Sequence, residues 1–343
     1  MIWSYVFPER ESVEHTLAID PGTGMPIMTR KTNIRQGQPR SETIELPLDD
    51  LIDKANSALR KQNYMLWILF DRLDVAFNDN LKLERNALRA LFRMYNDFKG
   101  FDNIKLKIFV RDDIWQRISE GGFAEASHIT KTTSIDWSHE NLVNLFVKRL
   151  LNNRAVVDYL GVEPTAVGDD FEMQLKILAR IFPDKVETGN NPETFRWMTN
   201  RIQDGSSKSA PRELIHLSET IRQQQASRLE RGEDEPPAFQ LFDRSVFKPS
   251  LREVSKVRYE QTFVAENPSL KDYTDALKRQ KSEQTPTTLS NVWNLTANEA
   301  SEVAERLVKA GFFERREANG RLSYWVPFIY RDALELVQGM ASE

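Results

Sequence analysis

The sequence predicts an α/β chain in which part of a parallel sheet is followed by a long helical region and then by a small helix and hairpin domain. Three observations carry this. Two short apolar runs, YMLWILFDRLD (Tyr64 to Asp74) and LKIFVRDD (Leu106 to Asp113), end abruptly in charge and flank one helix-length amphipathic segment. A strand, a crossover helix and a second strand with charges at both strand ends is the layout of an open parallel sheet, whose ligands sit beyond the carboxyl ends of the strands. From about Val156 to Lys281 the apolar spacing is helical throughout. Nearer the C-terminus, a capped helix ending at Gly311 is followed by two strand-like runs around the turn ANG.

Composition narrows the classes of function. The chain has 343 residues, enough for about two or three domains. Its 47 basic and 51 acidic residues leave a net charge of -4, so no overall positive field recruits nucleic acid or an anionic membrane. There is no cysteine, which excludes disulfides, thiolate metal sites and a cysteine nucleophile, and the four histidines are scattered without metal-site spacing. Met65 to Phe70, the longest apolar run, is far too short to span a bilayer, and the N-terminus lacks the regions of a signal peptide. A cytoplasmic chain with no membrane partner is expected.

Taken in order, residues 1–47 open with the aromatic patch MIWSYVF and carry repeated Pro and Gly, which predicts irregular or weakly β structure. The segment Asp20 to Thr32, DPGTGMPIMTRKT, resembles a phosphate-binding loop superficially. Its glycines are two apart and no Gly-Lys-Ser/Thr follows, so a hairpin turn is the better reading. From Leu48 a helix presents Leu48, Leu51, Ile52, Ala55 and Leu59 on one face and leads into a strand over Met65 to Phe70. A longer helix, roughly Leu83 to Lys99 with Gly100 as its stop, precedes a strand over Ile104 to Val110. A third extended piece is expected at Ile129 to Ile135. Next comes a helix with Ser138 as N-cap and Leu142, Leu145, Phe146 and Leu150 as its apolar stripe.

Helices are expected over Phe171 to Phe182, Pro192 to Ile202, Arg212 to Arg228, Leu251 to Phe263 and Leu270 to Lys281. The charged, Pro-rich run Leu229 to Phe239 reads as a loop. Thr296 with Glu299 makes a capping-box pattern, Ala300, Val303, Ala304, Leu307 and Val308 repeat at helical spacing, and FFERRE, ANG and RLSYWVPF make a hairpin before a short terminal helix. Helices followed by a hairpin wing predict a winged-helix domain. Its recognition-helix position carries Glu299, Glu302 and Glu305 beside Arg306 and Lys309, and carboxylates facing phosphates are repelled. Packing on protein is therefore favoured over DNA reading.

The residues with chemistry lie at the strand ends. Asp71 follows six apolar residues, where a rigid strand terminus can hold a carboxylate against magnesium, and Asp74 is placed to orient an attacking water. A solvated strand end is the alternative for both. Arg111 directly follows Val110, where a guanidinium can contact a γ-phosphate, or pair with Asp112 or Asp113. Arg212, in SAPRELI, starts a helix after a Gly/Ser loop and can reach phosphates from the helical region or sit solvated in the first turn.

LWILFDRLD, LKIFVRDDIW, SIDWSHENLVNLFVKRLL and SAPRELI, in this order and followed by a winged helix, resemble bacterial P-loop ATPases of the STAND class, relatives of AAA+ proteins. The resemblance spans roughly residues 48–335. It implies a Walker B role with metal for Asp71, a water-orienting or supporting charge for Asp74, a γ-phosphate sensor at Arg111 and a second sensor at Arg212, with ATP and Mg2+ as cofactors. It also implies four regions: an N-terminal segment 1–47, a partial P-loop NTPase core 48–152, a helical lid 153–281 and a winged-helix domain 282–343. The departure from the family is the Walker A loop, for no Gly-Lys-Ser/Thr occurs upstream of Asp71. The expectation is thus the C-terminal part of a STAND-like ATPase, a nucleotide-gated switch in a setting such as bacterial defence or stress signalling. It would work with a protein partner or further copies of itself and not hydrolyse ATP alone. The alternative is a non-enzymatic winged-helix regulator binding protein or DNA.

Overall fold

The computed structural model describes residues 10–19, 26–34, 44–73, 81–119, 122–123, 128–237, 240–318 and 320–342. The aromatic patch at residues 1–7 and Asp74 lie outside them. The chain is α/β and divides into two compact units, Met1–Thr133 and Ser134–Glu343.

In the first unit, β1 (Arg10–Ile19), β2 (Pro26–Ile34) and β3 (Ile44–Pro47) form an antiparallel meander. β1 and β2 pair from Ile19↔Pro26 outward, so the Pro/Gly segment between them joins two hairpin strands, and the N-terminal region holds more regular β structure than its composition suggests. α1 (Leu48–Lys61) follows, with Asp49 and Asp50 in its first turn and Arg60 and Lys61 in its last, the arrangement that complements a helix dipole. No α1 residue is fully buried. Arg60 pairs with Asp102 at 2.7 Å, and Asn56 accepts the Asn103 amide at 2.9 Å, so the helix end is tied to the turn before the second sheet strand.

β4 (Leu66–Phe70) and β5 (Ile104–Ile108) pair in parallel, Leu66↔Ile104 through Phe70↔Ile108. Each is slightly shorter than the apolar run that encodes it. The crossover helix α2 (Leu81–Phe98) buries Leu88 and Phe92 with Ile114 and Ile118 of α3 (Asp112–Ser119) and with Phe123, over the face that Ile108 and Val110 extend. The extended piece expected at residues 129–135 pairs with no strand: Ile129 leans on this cluster while Ile135 stands in solvent. Two isoleucines separated by Lys, Thr and Ser supply too little apolar surface to hold a strand in a sheet.

The second unit has one continuous core from Leu142 to Leu334. Its first helix, α4 (His139–Leu151), is capped by Ser138, whose Oγ accepts the Asn141 amide at 3.2 Å. α4 buries Leu142, Val143, Phe146 and Val147, so the stripe expected through Leu145 and Leu150 is rotated toward the valines. That packing puts α4 with the helices that follow it instead of with the parallel strands. α5 (Arg154–Leu160), α6 (Pro164–Gly168), α7 (Phe171–Ile181), α8 (Thr194–Arg201) and α9 (Pro211–Glu230) continue the helical region. α10 (Phe247–Val257) runs into a π-helical turn at Arg258–Phe263. The helix expected over Leu270 to Lys281 is shorter: α11 (Lys271–Asp275) stops before Arg279, whose φ is 64°, and β6 (Lys281–Gln284) takes over.

α12 (Pro286–Trp293) and α13 (Ala297–Lys309) both start from capping boxes, the second made by Thr296 and Glu299. Gly311, at φ 73°, ends α13. β7 (Glu314–Ala318) and β8 (Arg321–Trp325) form the hairpin, α14 (Phe328–Arg331) is one turn, and β9 (Val337–Met340) completes a sheet of order β7-β8-β6-β9. The helical region and the terminal domain are therefore two topologies on one core.

Two polar devices hold them together. At the first, the Gly205 amide donates to the Gly311 carbonyl at 2.7 Å, and a Cβ on Gly205 would lie 2.3 Å from the Phe313 carbonyl oxygen. The second is a ladder of guanidinium and aromatic planes: Arg201 lies 3.6 Å from the Phe328 ring centre, Arg331 4.1 Å from Phe328 and 4.2 Å from Trp325, and Arg316 4.1 Å from Trp325. Burial, with Arg201 and Arg316 nearby, pulls Arg331 down to about 10. Glu187 anchors the outer end through Lys248 and Arg201, each at 2.8 Å, and Trp197 at 2.9 Å.

Gly205→Ala should destabilise the protein by about 1–3 kcal/mol in urea unfolding, because the added methyl must displace backbone. The Lys248 hydrogen bond, helped by Trp197 and Arg201 against the opposing effect of burial, holds the Glu187 carboxyl down to about 2. Its contribution is fully present above the ordinary carboxylate pKa and is lost as pH falls from that value through about 2. Unfolding followed against pH should therefore show a loss of stability on acidification that is smaller in Glu187→Gln.

Candidate functional site

Parallel pairing decides where the strand-end charges emerge. Phe109 donates its amide to the Phe70 carbonyl at 2.9 Å, one step beyond the last paired residues, so the two chains leave the sheet side by side. Asp71 follows at once and is exposed. The Arg72 amide donates to Asp71 Oδ1 at 2.8 Å, and the Arg72 backbone is left-handed, φ 57°. One carboxylate oxygen is thus held by the chain itself. Arg111 leaves β5 at the same end of the sheet, exposed, and its carbonyl accepts the Trp115 amide at 2.9 Å as α3 begins. Asp71 and Arg111 therefore stand beyond the carboxyl ends of adjacent parallel strands, the position where open α/β sheets bind ligands.

Asp74 is outside the described residues. Arg212 belongs to the second unit, in the first turn of α9 after Pro211. Its side chain is 74 % exposed, with Nε 3.7 Å from Glu213 Oε1. The same oxygen receives the Arg258 guanidinium at 3.0 Å. Around that pair, burial pushes the Asp204 carboxyl up against the pull of the Lys208 and Ser206 amides, and burial takes the Tyr330 hydroxyl to about 12. Arg258 is lowered by burial and raised by Tyr330, Glu213 and Asp204, which win. This buried cluster joins the turn before α9, the π-helical turn and α14. It was missed in the sequence because its members are far apart along the chain.

The terminal domain's charges are more engaged than their spacing suggests. Glu299 closes its capping box, and Glu305 accepts the Tyr324 hydroxyl at 3.0 Å with Arg315 3.4 Å away, so of the three acidic residues expected to face outward Glu302 is the exposed one without such a role. Arg316 makes two bonds to Glu314, at 2.9 and 3.1 Å. Arg321 is exposed. A hairpin with two of three arginines held by carboxylates presents a weak phosphate-binding surface.

Concavities of the second unit flank α4. A groove of about 510 Å³ runs along α4, lined by Trp137, Asn141, Asn144, Lys148 and Asn152 among others. Another, of about 340 Å³, contains His139, whose Nδ1 is 3.2 Å from Thr199 Oγ1 and whose pKa is lowered by burial and by Arg196. Among the described residues no three histidine, aspartate or glutamate side chains converge on a metal site. A lone strand-end carboxylate is compatible with magnesium, which takes one or two protein carboxylates and completes its shell with water and phosphate. No family model matches the chain, and neither a curated protein nor a solved structure matches it.

Glu213→Ala should cost about 3–5 kcal/mol of stability, because Arg258 loses its buried partner. Arg212→Ala should change stability by no more than about 0.5 kcal/mol, since that side chain stands in solvent. Thermal unfolding of the two variants separates the structural arginine from the one available for a ligand.

Proposed function

We propose that this chain is the C-terminal part of a STAND-like P-loop ATPase and works as a nucleotide-gated switch. The observation that carries the reading is the emergence of Asp71 and Arg111 from neighbouring parallel strand ends. Asp71, one of whose carboxylate oxygens accepts the Arg72 amide, would hold Mg2+ through the other, and Asp74 would orient the attacking water. Magnesium, when bound, neutralises charge developing on the phosphates. Arg111 contacts the γ-phosphate bidentately and responds to its loss. Arg212 carries the nucleotide state to the helical lid and winged helix, a role for which its exposure suits it.

The sequence contains no G-x-x-x-x-G-K-[ST] loop, and such a loop supplies the backbone amides and lysine that give most phosphate affinity. The chain alone therefore binds ATP weakly and does not hydrolyse it. The winged helix serves protein contact: Arg315 and Arg316, the wing charges that DNA would need, are held by Glu305 and Glu314. The setting suggested by the resemblance is bacterial defence or stress signalling.

Titration with Mg-ATP, read by amide chemical shifts, tests the reading. Shifts at millimolar nucleotide should centre on Asp71, Arg72 and Phe109 to Asp112 and disappear in Asp71→Asn and Arg111→Ala. Shifts confined to other surfaces, or none at all, would refute nucleotide contact at this sheet end.

A further inference from the structure

His139 opens α4 with its ring set against α8, 5.8 Å from the Phe195 ring centre. Its Nδ1 lies 3.2 Å from Thr199 Oγ1, and that hydroxyl donates its one proton to the Arg196 carbonyl at 3.2 Å. Thr199 Oγ1 can therefore only accept from the imidazole. Nδ1 carries the ring proton and Nε2 carries a lone pair. Thr199 is buried at 2 % exposure whereas His139 is half-buried, so the bond draws Nδ1 to the interior and leaves Nε2 toward the concavity of about 340 Å³ that His139 lines. Among the described residues Nε2 meets no donor.

The walls of this concavity are apolar. Phe171, Leu175 and Leu178 come from α7, and Phe182 and Phe195 contribute rings whose centres are 6.4 Å apart. Its mouth is charged by Glu140 on α4, Asp184 after α7, and Glu193 and Arg196 at the start of α8, while the lining residues of α7 carry no charge. Glu193 directs both carboxylate oxygens to the Phe195 and Arg196 amides, each at 3.0 Å. Glu140 and Asp184 are exposed. Three carboxylates against one guanidinium leave the mouth negative.

An apolar hollow with one convergent acceptor is the build of a small-ligand site. An anionic ligand is repelled at the mouth and finds a lone pair inside. A hydrocarbon would cover Nε2 without giving it a donor, which costs the hydrogen bond that water had made. A flat apolar body ending in an ammonium meets every requirement at once: its N–H donates to Nε2, its charge faces Glu140 and Asp184, and its ring packs on the phenylalanines.

We propose that the concavity between α4, α7 and α8 is a binding site for a small aromatic amine, with His139 Nε2 as the acceptor for its ammonium. The site belongs wholly to the second unit and is independent of the nucleotide reading. Burial and Arg196 lower the His139 pKa against the opposing effect of Glu193 and Glu140, so the ring is neutral at neutral pH. Protonation would turn Nε2 into a donor and set a positive charge against the amine. Affinity therefore holds at neutral pH and falls on acidification below the ordinary histidine range.

Tryptamine is the probe, titrated into the full chain and read by chemical shifts, with indole-3-acetate as the counterpart of opposite charge. The expected result is saturable tryptamine binding that moves the signals of His139, Leu175 and Phe195, with indole-3-acetate weaker by about tenfold or more. His139→Phe keeps a ring but removes the acceptor, and should weaken tryptamine by about fivefold and abolish the loss of affinity on acidification. Leu175→Trp fills the hollow and should block both compounds. Glu140→Lys changes only an exposed side chain, so its fold is secure, and it should weaken tryptamine while strengthening indole-3-acetate. No saturable binding at millimolar tryptamine would overturn the proposal, as would equal affinity for the two compounds, shifts centred elsewhere or unchanged affinity in His139→Phe.

Discussion

The parallel register from Leu66↔Ile104 to Phe70↔Ile108 is the constraint on which the functional reading depends. It sets two chains leaving a sheet at the same end and in the same direction, so that charges placed just after two separate apolar runs become neighbours beyond one edge. Antiparallel pairing of the same strands would have sent Asp71 and Arg111 to opposite ends. The register also fixes the inward residues, because a slip of one position would turn Trp67 and Leu69 under α2 and expose Ile68 and Phe70 instead. The helix α2 enforces the choice through Leu88 and Phe92, which need the branched face that Ile108 and Val110 provide.

The second unit is organised by aromatic packing. Phe182 has ring centres of Phe146 at 5.7 Å, Phe242 at 5.4 Å, Phe247 at 5.9 Å and Phe195 at 6.4 Å around it, and so ties α4, α8 and α10 to one point. Phe263, Phe312 and Tyr330 make a second centre, with separations of 5.1 to 5.6 Å, where the π-helical turn meets the end of α13 and α14. Burying such rings is the dominant favourable term in a core of this kind. The polar devices then specify how the two centres are joined: Gly205 fits only where no Cβ intrudes, and Arg258 stays buried only with Glu213 beside it. A motion that changed the angle between the helical region and the terminal hairpin would have to break the Gly205 to Gly311 hydrogen bond and lift Arg201 from Phe328.

This division bears on how a switch could work. Arg212 stands one residue before Glu213, so an exposed arginine and a buried carboxylate occupy the same helical turn. A ligand that drew Arg212 outward would act on α9 at the point where α9 is fastened to the rest of its unit. Coupling through that turn needs no long pathway, since the buried cluster is in direct contact with it.

Much of the local structure was legible in the sequence. The Ser138 cap, the Thr296 and Glu299 box, the Gly311 stop and the charges after Phe70 and Val110 each depend on residues within a few positions of one another, and local hydrogen bonds and backbone preferences suffice to fix them. Only the tertiary structure decided which side of α4 is buried, that Ile129 to Ile135 forms no strand, and that β6 and β9 join the terminal hairpin. It also decided which charges are engaged: Glu305 meets Tyr324 across 19 positions, and Glu213 meets Arg258 across 45. The physical reason is the same throughout. Periodicity reports that a residue has an apolar or charged neighbour in prospect, whereas the identity of that neighbour is set by how distant segments share one core and exclude water from it.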